Sequence, residues 1–475
     1  MYTATFLQDP DFIRSLYIVA FALFIIDLRL MNHPRTARKG NILGAIGMGI
    51  AVIATLLIES VGDYGLIALG VAVGTAVGVP AARSVKMTAM PQMVALFNGV
   101  GGGAVALISF VEYREALAGG GGNPALDALI PALFAAIIGS VSFWGSNIAF
   151  GKLQELIPGR PIQLPGQQFI NIGLLAVCVG CAIAIAAGTE SEALFVVILV
   201  AAAVLGNMFV LPIGGADMPV VISLLNAFTG LSAAAAGLAL DNVALIVAGM
   251  LVGASGSILT MLMAEAMNRS IANIFKGGFG GVSVAPAAGD GEAKPVRSTD
   301  PADVAIQLSY ARKVVVAPGY GLAVAQAQHT VRELADALER RGVEVLYAIH
   351  PVAGRMPGHM NVLLSEANAP YTQLKDLEEI NRVFPTTDVV LVVGANDVTN
   401  PAARRPGNAV SGMPILDVDV AKSVLVIKRS MASGYAGMDN ELYTNPRTAM
   451  LFGDAKAVLA NLNSALTAYI TVGPG

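Results

Sequence analysis

The sequence predicts a multi-pass α-helical membrane domain of about nine transmembrane helices, followed by a C-terminal α/β domain with a Rossmann-like, doubly wound sheet. Three observations support this fold class. The chain is 55% hydrophobic and only 13% charged, about half the charged fraction of typical soluble domains. Residues 1–275 contain long stretches with almost no charge, whereas residues 290–475 have an ordinary soluble composition. In that second part, apolar strands alternate with helical segments, as in parallel sheets.

Nine segments of the first 275 residues are apolar enough to cross a bilayer, for which a helix needs roughly 20 residues. They lie near 13–31, 42–58, 65–81, 90–111, 128–151, 169–188, 193–213, 217–239 and 243–266. Glycine is abundant within them, and small residues let helix backbones approach closely in lipid. We therefore predict a tightly packed bundle of transmembrane helices over residues 1–275.

The charges of the connecting loops alternate along the chain. Basic residues follow the first, third, fifth and ninth segments, whereas acidic residues or no basic residues occupy the loops between them. The positive-inside rule then predicts an N-terminus outside the membrane and a cytoplasmic C-terminal domain. The formal net charge is −4, and the absence of a basic stripe argues against a nucleic-acid partner.

Residues 276–300 are rich in Gly, Ala and Pro and predict a flexible linker. The sequence "TDPAD" predicts a helix start with Asp300 as N-cap and Pro301 as the first helical residue. Beyond it, strands are predicted at "KVVVAP", "VEVLYAI", "DVVLVVGAND", "PILDVD" and "SVLVIKRS". Helices are predicted at "GLAVAQAQHTVRELADALERRG", "NVLLSEA", "YTQLKDLEEINRVF" and "DAKAVLANLNSALTAYI". This alternation defines a domain over residues 301–475.

A glycine motif lies between the first of these strands and its helix. Gly319 and Gly321 fit G-x-G, but Val324 replaces the third glycine of the dinucleotide fingerprint. Backbone amides at a helix N-terminus suit a pyrophosphate, and the position between strand and helix strengthens this interpretation. The alternative is a tight strand-to-helix turn without a ligand.

The preferred nucleotide follows from the ends of two other strands. In an NAD site, an acidic residue near the end of the second strand binds the ribose hydroxyls, but here that strand ends in "YAIHP". Lys428, Arg429 and Ser430 end another strand, and two cations with a hydroxyl suit a 2′-phosphate. The alternative is a solvated basic strand end. The pattern favours NADP(H) over NAD(H).

Several longer strings resemble one known family. "PGYGLAVAQAQ", "IHPVAGRMPGHMNVLLSEA", "VGANDVTNPAA", "KRSMASGYAG" and "MLFGDAK" are similar to the NADP(H)-binding domain of the proton-translocating nicotinamide nucleotide transhydrogenases. "GGADMPVVISLLNAFTGLSAAAAG" and "AMNRS" resemble the membrane part of their beta subunit. The resemblance implies hydride transfer between NAD(H) and NADP(H) coupled to proton movement across a bacterial inner membrane. It makes residues 1–275 a transmembrane proton-channel domain. It also implies an alpha subunit, in one chain or two, that binds NAD(H), and a dimer of alpha–beta units.

The resemblance also implies roles for individual residues. Tyr320 and Gly321 would contact the cofactor, Lys428 and Arg429 would bind the 2′-phosphate, and Tyr435 would close over it. Asp397 would couple the cofactor state to protonation. The full predicted cofactor-binding set is Gly319, Tyr320, Gly321, Val324, His350, Arg355, Asn396, Asp397, Lys428, Arg429, Ser430, Gly434 and Tyr435. For each side chain taken singly, a role in loop structure is the alternative.

Polar residues at bilayer depth are candidates for the proton route. Asn98 and Asn226 each lie about 12 Å above the start of their helices at 1.5 Å per residue, so we expect a shared polar site. Ser142 and Ser146 share one face of the fifth helix. Asp217, at the cytoplasmic start of the eighth helix, could gate proton entry. The alternative for the amides and hydroxyls is packing through interhelical hydrogen bonds.

None of the four histidines, at positions 33, 329, 350 and 359, lies within a predicted transmembrane segment. In several members of the family that the sequence resembles, a membrane histidine occupies the place of Asn98. We therefore expect a partner-subunit helix to supply the titrating group.

Two other functions remain open at this point. A secondary transporter or channel gated by a tethered nucleotide-sensing domain fits the same architecture. A membrane-anchored dehydrogenase is disfavoured, because no acid–base pair accompanies the predicted cofactor loops.

Overall fold

The computed structural model describes residues 6–472 except positions 33, 60, 87–88, 120–121, 159–160, 215–216, 267–295, 356–357, 407, 409, 433, 435 and 437. The chain forms two compact units. The first contains residues 1–157, 163–211 and 221–259, and the second contains residues 158–162, 212–220 and 260–475. Each is described by itself.

Within the described part of the chain, nine long helices occupy the nine segments predicted to cross the membrane. They are α1 (Pro10–Met31), α2 (Pro34–Leu56), α3 (Tyr64–Ser84), α4 (Met90–Ala118), α5 (Leu126–Leu153), α6 (Gln167–Ala186), α7 (Glu192–Val210), α8 (Met218–Ala239) and α9 (Val243–Ala266). Within the described residues, eight of them, α2 to α9, are long and apolar enough to span a bilayer. The remaining helix, α1, has 22 residues but carries four charged side chains, two of which are Asp27 and Arg29. The predicted multi-pass membrane fold is confirmed.

Glycine allows the helices of the first unit to pack closely. A Cβ atom added to Gly102 of α4 would lie 2.9 Å from the carbonyl oxygen of Gly139 on α5. A Cβ atom added to Gly230 of α8 would lie 2.4 Å from the amide nitrogen of Gly253 on α9. No side chain fits at such distances, so the backbones themselves are in contact at these crossings.

The α/β part of the second unit begins with the predicted helix cap. The side chain of Asp300 accepts hydrogen bonds from the amides of Ala302 and Asp303 at 2.8 and 2.9 Å, which satisfies two otherwise unpaired donors. The helices are α10 (Pro301–Tyr310), α11 (Tyr320–Val324), α12 (Gln328–Glu339), α13 (His359–Glu366), α14 (Leu377–Asn381) and α15 (Ala455–Val472). The strands are β1 (Lys313–Pro318), β2 (Glu344–Ala348), β3 (Leu374–Lys375), β4 (Val389–Val393), β5 (Ser423–Lys428) and β6 (Thr448–Phe452).

The six strands form one sheet in the order β3-β2-β1-β4-β5-β6, and every adjacent pair is parallel. This is the doubly wound order, which confirms the predicted fold class. The central strand β4 is buried at all five positions. The strand order reverses between β1 and β4, and this switch point is where doubly wound sheets open a crevice for ligands.

Four local predictions need correction. The segment predicted as one helix from Gly321 is two helices, because Gln326 adopts a left-handed φ of 49° between them. The predicted strand "PILDVD" is not a strand, since the amide of Leu416 donates to Val398 and that of Asp417 to the side chain of Asn381. Strand β3 lies within a segment predicted to be helical, and β6 was not predicted.

The predicted linker lies outside the described residues up to position 295. Its last residues contact the sheet. Ser298 pairs in parallel with Met450 of β6, the amide of Thr299 donates to the Met450 carbonyl, and the amide of Met450 donates to Arg297. The segment 297–299 therefore extends the sheet edge rather than forming a free tether.

Candidate functional site: a crevice at the switch point and a polar cluster in the membrane helices

The loops after β1 and β4 are in backbone contact at the switch point. The amide of Gly319 donates to the Val393 carbonyl and that of Gly321 to the Gly394 carbonyl, both at 2.9 Å. A Cβ atom on Gly319 would lie 2.3 Å from Cα of Ala395, and one on Gly394 would lie 2.4 Å from Cα of Gly321. The glycine motif is therefore required because the two loops meet without room for side chains.

Val324 occupies the place of the third fingerprint glycine without strain. In a Rossmann fingerprint that glycine permits close packing of the helix on a strand. Here α11 ends at Val324, and the Val324 side chain is 42% exposed. Because the helix is only one turn long, no close helix–strand contact forms at this position.

Tyr320, the first residue of α11, lies beside Arg355 of the loop after β2 and beside His359, the first residue of α13. The guanidinium carbon of Arg355 is 4.4 Å from the centre of the Tyr320 ring, a cation–π distance. The rings of Tyr320 and His359 are 6.4 Å apart. Thus the first turn after β1 carries the Tyr320 phenol, with the Arg355 guanidinium and the His359 imidazole beside it.

His350 holds its loop in place. It is buried, its Nε2 atom lies 2.7 Å from the Pro414 carbonyl oxygen, and its Nδ1 atom accepts from the amide of Val352 at 3.2 Å. The carbonyl can only accept, so Nε2 carries the proton. Burial lowers the pKa of His350 to about 4, although the hydrogen bond to Pro414 opposes this shift. His350 is thus neutral at physiological pH.

Asp397 connects the loop after β4 to the loop after β5. Its Oδ2 atom accepts from the amide of Ala436 at 3.0 Å. A Cβ atom on Gly434 would lie 2.5 Å from Oδ1 of Asp397, so only glycine allows this approach. Tyr435, predicted to close over the cofactor, lies outside the described residues.

Asn396 joins the same two loops to a buried polar network. In the amide orientation that satisfies both ends, its oxygen accepts from the amide of Gly434 at 2.7 Å and from Lys428 Nζ at 3.3 Å. Its nitrogen then donates to the Tyr443 hydroxyl at 2.9 Å. Asn440 Nδ2 donates to the Asn396 carbonyl at 2.9 Å. The network fixes the loop after β4 from both sides.

Three polar residues end β5, as predicted. Lys428 Nζ donates to the Ala432 carbonyl and lies 4.7 Å from the centre of the Tyr443 ring. Burial lowers the pKa of Lys428, and Asp397 and Asp439 oppose that shift. Arg429 is largely exposed and lies 3.4 Å from Asp454. Ser430 is exposed as well. Lys428 thus holds its loop inward, whereas Arg429 faces the solvent.

These residues fit a phosphorylated dinucleotide. At the switch point the two loops meet through their backbones, because Gly319 and Gly394 have no Cβ atoms. Arg355 of the loop after β2 lies beside Tyr320, and Lys428 and Arg429 stand at the end of β5. The described residues contain no group of three His, Cys, Asp or Glu side chains that could hold a metal ion.

A second cluster of polar groups joins three helices of the first unit. Asn98 Nδ2 on α4 donates to Ser146 Oγ at 2.9 Å and lies 3.4 Å from Ser142 Oγ, both on α5. Ser142 Oγ lies 2.6 Å from Thr229 Oγ1 and donates to the Leu225 carbonyl of α8 at 2.9 Å. The hydroxyls therefore form a continuous chain from α4 to α8.

The cluster includes only some of the predicted membrane residues. Asn98, Ser142 and Ser146 come together, but no hydrogen bond between described side chains joins Asn226 to them. The contact from α8 comes instead from Thr229, three residues later on the same helix. Asp217 lies directly before α8, where its carbonyl accepts from the amide of Val220 at 3.1 Å.

Several residues of these sites had not been singled out from the sequence. Thr229 is a polar residue within the apolar eighth segment, which is the same signal that singled out Asn226. Asn440 and Tyr443 had no local signal, because their partner Asn396 lies more than 40 residues away in sequence. His359 lies within one of the strings that resemble the family, but no motif or spacing of its own marks it as a functional residue.

Comparisons with known proteins agree with this architecture. A family model described as NAD(P) transhydrogenase beta subunit matches residues 13–465. Two sequences from Rhodospirillum rubrum, both described as NAD(P) transhydrogenase subunit beta, are 49% identical to this chain over 455 residues. Each match covers 95% of this chain and 98% of the relative.

Proposed function

The chain belongs to the NAD(P) transhydrogenase beta subunit family, and from this premise we propose that it binds NADP(H) in the crevice between the loops after β1 and β4. With an NAD(H)-binding alpha subunit it forms a Re/Si-specific, proton-translocating transhydrogenase. The observation that carries the proposal is the contact of Gly319 and Gly321 with residues 393–395 at the switch point, where the strand order reverses.

The selection of NADP(H) over NAD(H) rests on charge. Arg429 is largely exposed at the end of β5, 3.4 Å from Asp454. We assign it to the 2′-phosphate, with the Ser430 hydroxyl beside it. Lys428 holds the 428–432 turn through the Ala432 carbonyl, so it positions Arg429 and adds a second positive charge. A guanidinium fork suits phosphate geometry. Strand β2 supplies no acidic residue at its carboxyl end that would repel the phosphate.

The partner follows from the geometry of hydride transfer. NADP(H), when bound, gives or accepts the hydride at its nicotinamide ring. The second nicotinamide must approach to roughly 3–3.5 Å between reacting atoms. The described residues contain one dinucleotide-type sheet, so the NAD(H) site belongs to an alpha subunit, in one chain or two. A dimer of such alpha–beta units completes the proposed enzyme.

Asp397 is the proposed link between cofactor state and protonation. Its carboxylate accepts from the Ala436 amide, and the Asn396 side chain accepts from the amide of Gly434 in the same loop. A protonated Asp397 would hold that amide less strongly, because an uncharged acceptor forms the weaker hydrogen bond. The loop that borders the crevice would then loosen, and cofactor would exchange more easily.

The membrane helices are proposed to carry the proton. The hydroxyl and amide chain from Asn98 to Thr229 can orient water and relay protons, but none of its groups titrates at physiological pH. A histidine from a partner-subunit helix is the proposed titrating group, with Asn226 and Asp217 on the route. One charge crossing 100 mV releases about 2.3 kcal/mol. At about 150 mV and one proton per hydride, this shifts the nucleotide ratio a few hundredfold.

The location follows from the membrane helices. Eight described helices are long and apolar enough to span a bilayer, consistent with an integral membrane protein. We place the chain in a bacterial inner membrane, with the N-terminus outside and the NADP(H)-binding domain, residues 301–475, in the cytoplasm.

The test is hydride exchange in the assembled protein. The full chain is reconstituted in lipid with its alpha subunit, and NADPH oxidation is followed in the presence of an NAD⁺ analogue. Turnover that requires both chains and acidifies or alkalises the vesicle lumen supports the proposal. A gated transporter or channel would bind NADP(H) and transfer no hydride, and that result would replace the proposed function.

A further inference from the structure

One buried hydrogen-bond donor near the crevice has no partner among the described residues. His359 is 0% exposed, and its Nδ1 atom accepts from the amide of Arg355 at 3.0 Å. The proton of the neutral ring therefore sits on Nε2. Nε2 is itself buried and makes no hydrogen bond within the described chain. A buried donor left unpaired is unfavourable, because it has lost its hydrogen bond to water and gained none in the protein.

The fold holds this imidazole in one place. His359 is the first residue of α13 and follows Gly358, which has a φ of 66°. Gly354 has a φ of 107°, and a Cβ atom there would lie 2.3 Å from Nδ1 of His359. Only glycine lets the 350–355 loop close over the ring in this way. These two glycines hold in place a side chain whose Nε2–H donor has no partner among the described residues. Buried donors are almost always hydrogen-bonded, so we expect a ligand to accept this one.

The neighbours of the ring indicate what that ligand is. Tyr320, whose ring centre is 6.4 Å away, follows Gly319 directly at the end of β1. Arg355 places its guanidinium 4.4 Å from the Tyr320 ring centre. In doubly wound domains the pyrophosphate lies at this first turn. Phosphate oxygens at neutral pH are strong acceptors, so they match an N–H donor beside a cation.

We propose that Nε2–H of His359 donates a hydrogen bond to a pyrophosphate oxygen of bound NADP(H). His359 is then a further cofactor-binding residue of this site, and the proposal rests on the function proposed above. The contact forms without a change in charge. Burial, reinforced by the positive charge of Arg355, lowers the pKa of His359 to about 4. The donor therefore persists unchanged through the physiological range.

Two amide substitutions separate this role from a structural one. His359→Asn keeps an acceptor at the Nδ1 position for the Arg355 amide but removes the Nε2 donor. His359→Gln keeps a donor at the Nε2 position. NADPH binding to the full chain in lipid nanodiscs is measured by calorimetry, and thermal unfolding without ligand reports whether each variant folds. His329→Asn, at an exposed histidine on α12, is the matched control.

The expected result is NADPH binding about 10-fold weaker in His359→Asn, with the ligand-free unfolding midpoint retained. His359→Gln and His329→Asn should stay within about threefold of the unaltered chain. Unchanged binding in His359→Asn, or equal loss in His359→Asn and His359→Gln, would overturn the proposal. An unaltered chain that does not bind NADPH would instead overturn the proposed function.

A second ligand identifies the group contacted. The 2′-phosphorylated form of ADP-ribose keeps the pyrophosphate and lacks nicotinamide. Its affinity should fall about 10-fold in His359→Asn, as that of NADPH does. If the loss disappears with this ligand, the donor faces the nicotinamide end, and the assignment to the pyrophosphate is wrong.

Discussion

The carboxylate of Asp397 accepts a hydrogen bond at 3.0 Å from the backbone amide of Ala436, 39 residues further along the chain. This contact joins the loop after β4 to the loop after β5, so it spans the crevice side of the sheet. Gly434 permits it, because a Cβ atom there would lie 2.5 Å from the same carboxylate. One ionisable group thus touches the segment that borders the proposed cofactor.

Asp397→Asn should abolish the pH dependence of NADPH binding that the proposed coupling requires. The amide can still accept from Ala436, but it cannot titrate. One linked proton changes the affinity by up to about 10-fold per pH unit. Calorimetry on the full chain at several pH values measures this slope. Asp303→Asn, at an exposed residue of α10, should keep the slope of the unaltered chain. An unchanged slope in Asp397→Asn would exclude Asp397 as the linked group.

Gly319→Ala should destabilise the α/β domain by about 2–4 kcal/mol and weaken NADPH binding, because its Cβ atom would clash with the backbone of Ala395. Gly342→Ala is the matched control. Gly342 has a φ of 82° with nothing within 4 Å of an added Cβ atom, so only backbone strain of about 1 kcal/mol is expected. Thermal unfolding compares the two. Equal destabilisation would show that the contact between the two loops is not tight.

Arg429→Ala should weaken NADPH binding by about 10- to 100-fold, the effect of one charge-assisted hydrogen bond. NADH binding should be unaffected, because NADH lacks the 2′-phosphate. The preference between the two nucleotides is the quantity to measure. Arg341→Ala, at an exposed arginine after α12, controls for general loss of positive charge. If NADPH and NADH lose affinity equally, Arg429 does not bind the 2′-phosphate.

Asn98→Leu should slow proton-coupled turnover of the assembled complex at least about 10-fold, because it breaks the polar chain to Ser146 and Ser142. Asn147→Leu is the control. Asn147 belongs to α5 too, but its side chain donates to the Phe143 carbonyl of its own helix at 2.9 Å. Asn226→Leu should also slow turnover. Full activity in Asn226→Leu would remove that residue from the proton route.

The α/β domain should lose stability between about pH 6.5 and pH 4. His350 has its pKa lowered by burial from 6.5 to about 4. The unfolded chain therefore binds more protons in this window, and the free energy of unfolding falls as the pH falls. The contribution of His350 is about 3 kcal/mol. His350→Gln should reduce the drop in the unfolding midpoint between pH 7 and pH 4.5. His329→Gln should not, and an equal drop in all three proteins would contradict this account.

The sequence was sufficient for the parts of the fold that depend on local pattern. The nine apolar segments, the Asp300 cap and strands β1, β2, β4 and β5 all follow from composition and periodicity. Strand β3 could not be predicted in this way, because its two residues form a strand only through pairing with Tyr347 and Ala348. Leu416 and its neighbours have strand composition, but the Leu416 amide binds Val398 outside the sheet.

The candidate site shows the same division. Gly319, Gly321 and the basic end of β5 could be recognised from motifs. The sequence could not show why glycine is required at these positions, since the reason is the contact with the loop after β4, some 75 residues away. Likewise, the sequence predicts the same role for the adjacent residues Lys428 and Arg429. In the structure Lys428 faces inward over the Tyr443 ring, whereas Arg429 faces outward. Such differences arise from tertiary contacts and have no local signal.

The most direct test of the central claim is the affinity of the full chain in lipid nanodiscs for NADPH and for NADH, measured side by side by calorimetry. The account predicts that NADPH binds at least about 100-fold more tightly, as two cations and a hydroxyl at one phosphate require. Equal affinities, or no binding of either nucleotide, would contradict it.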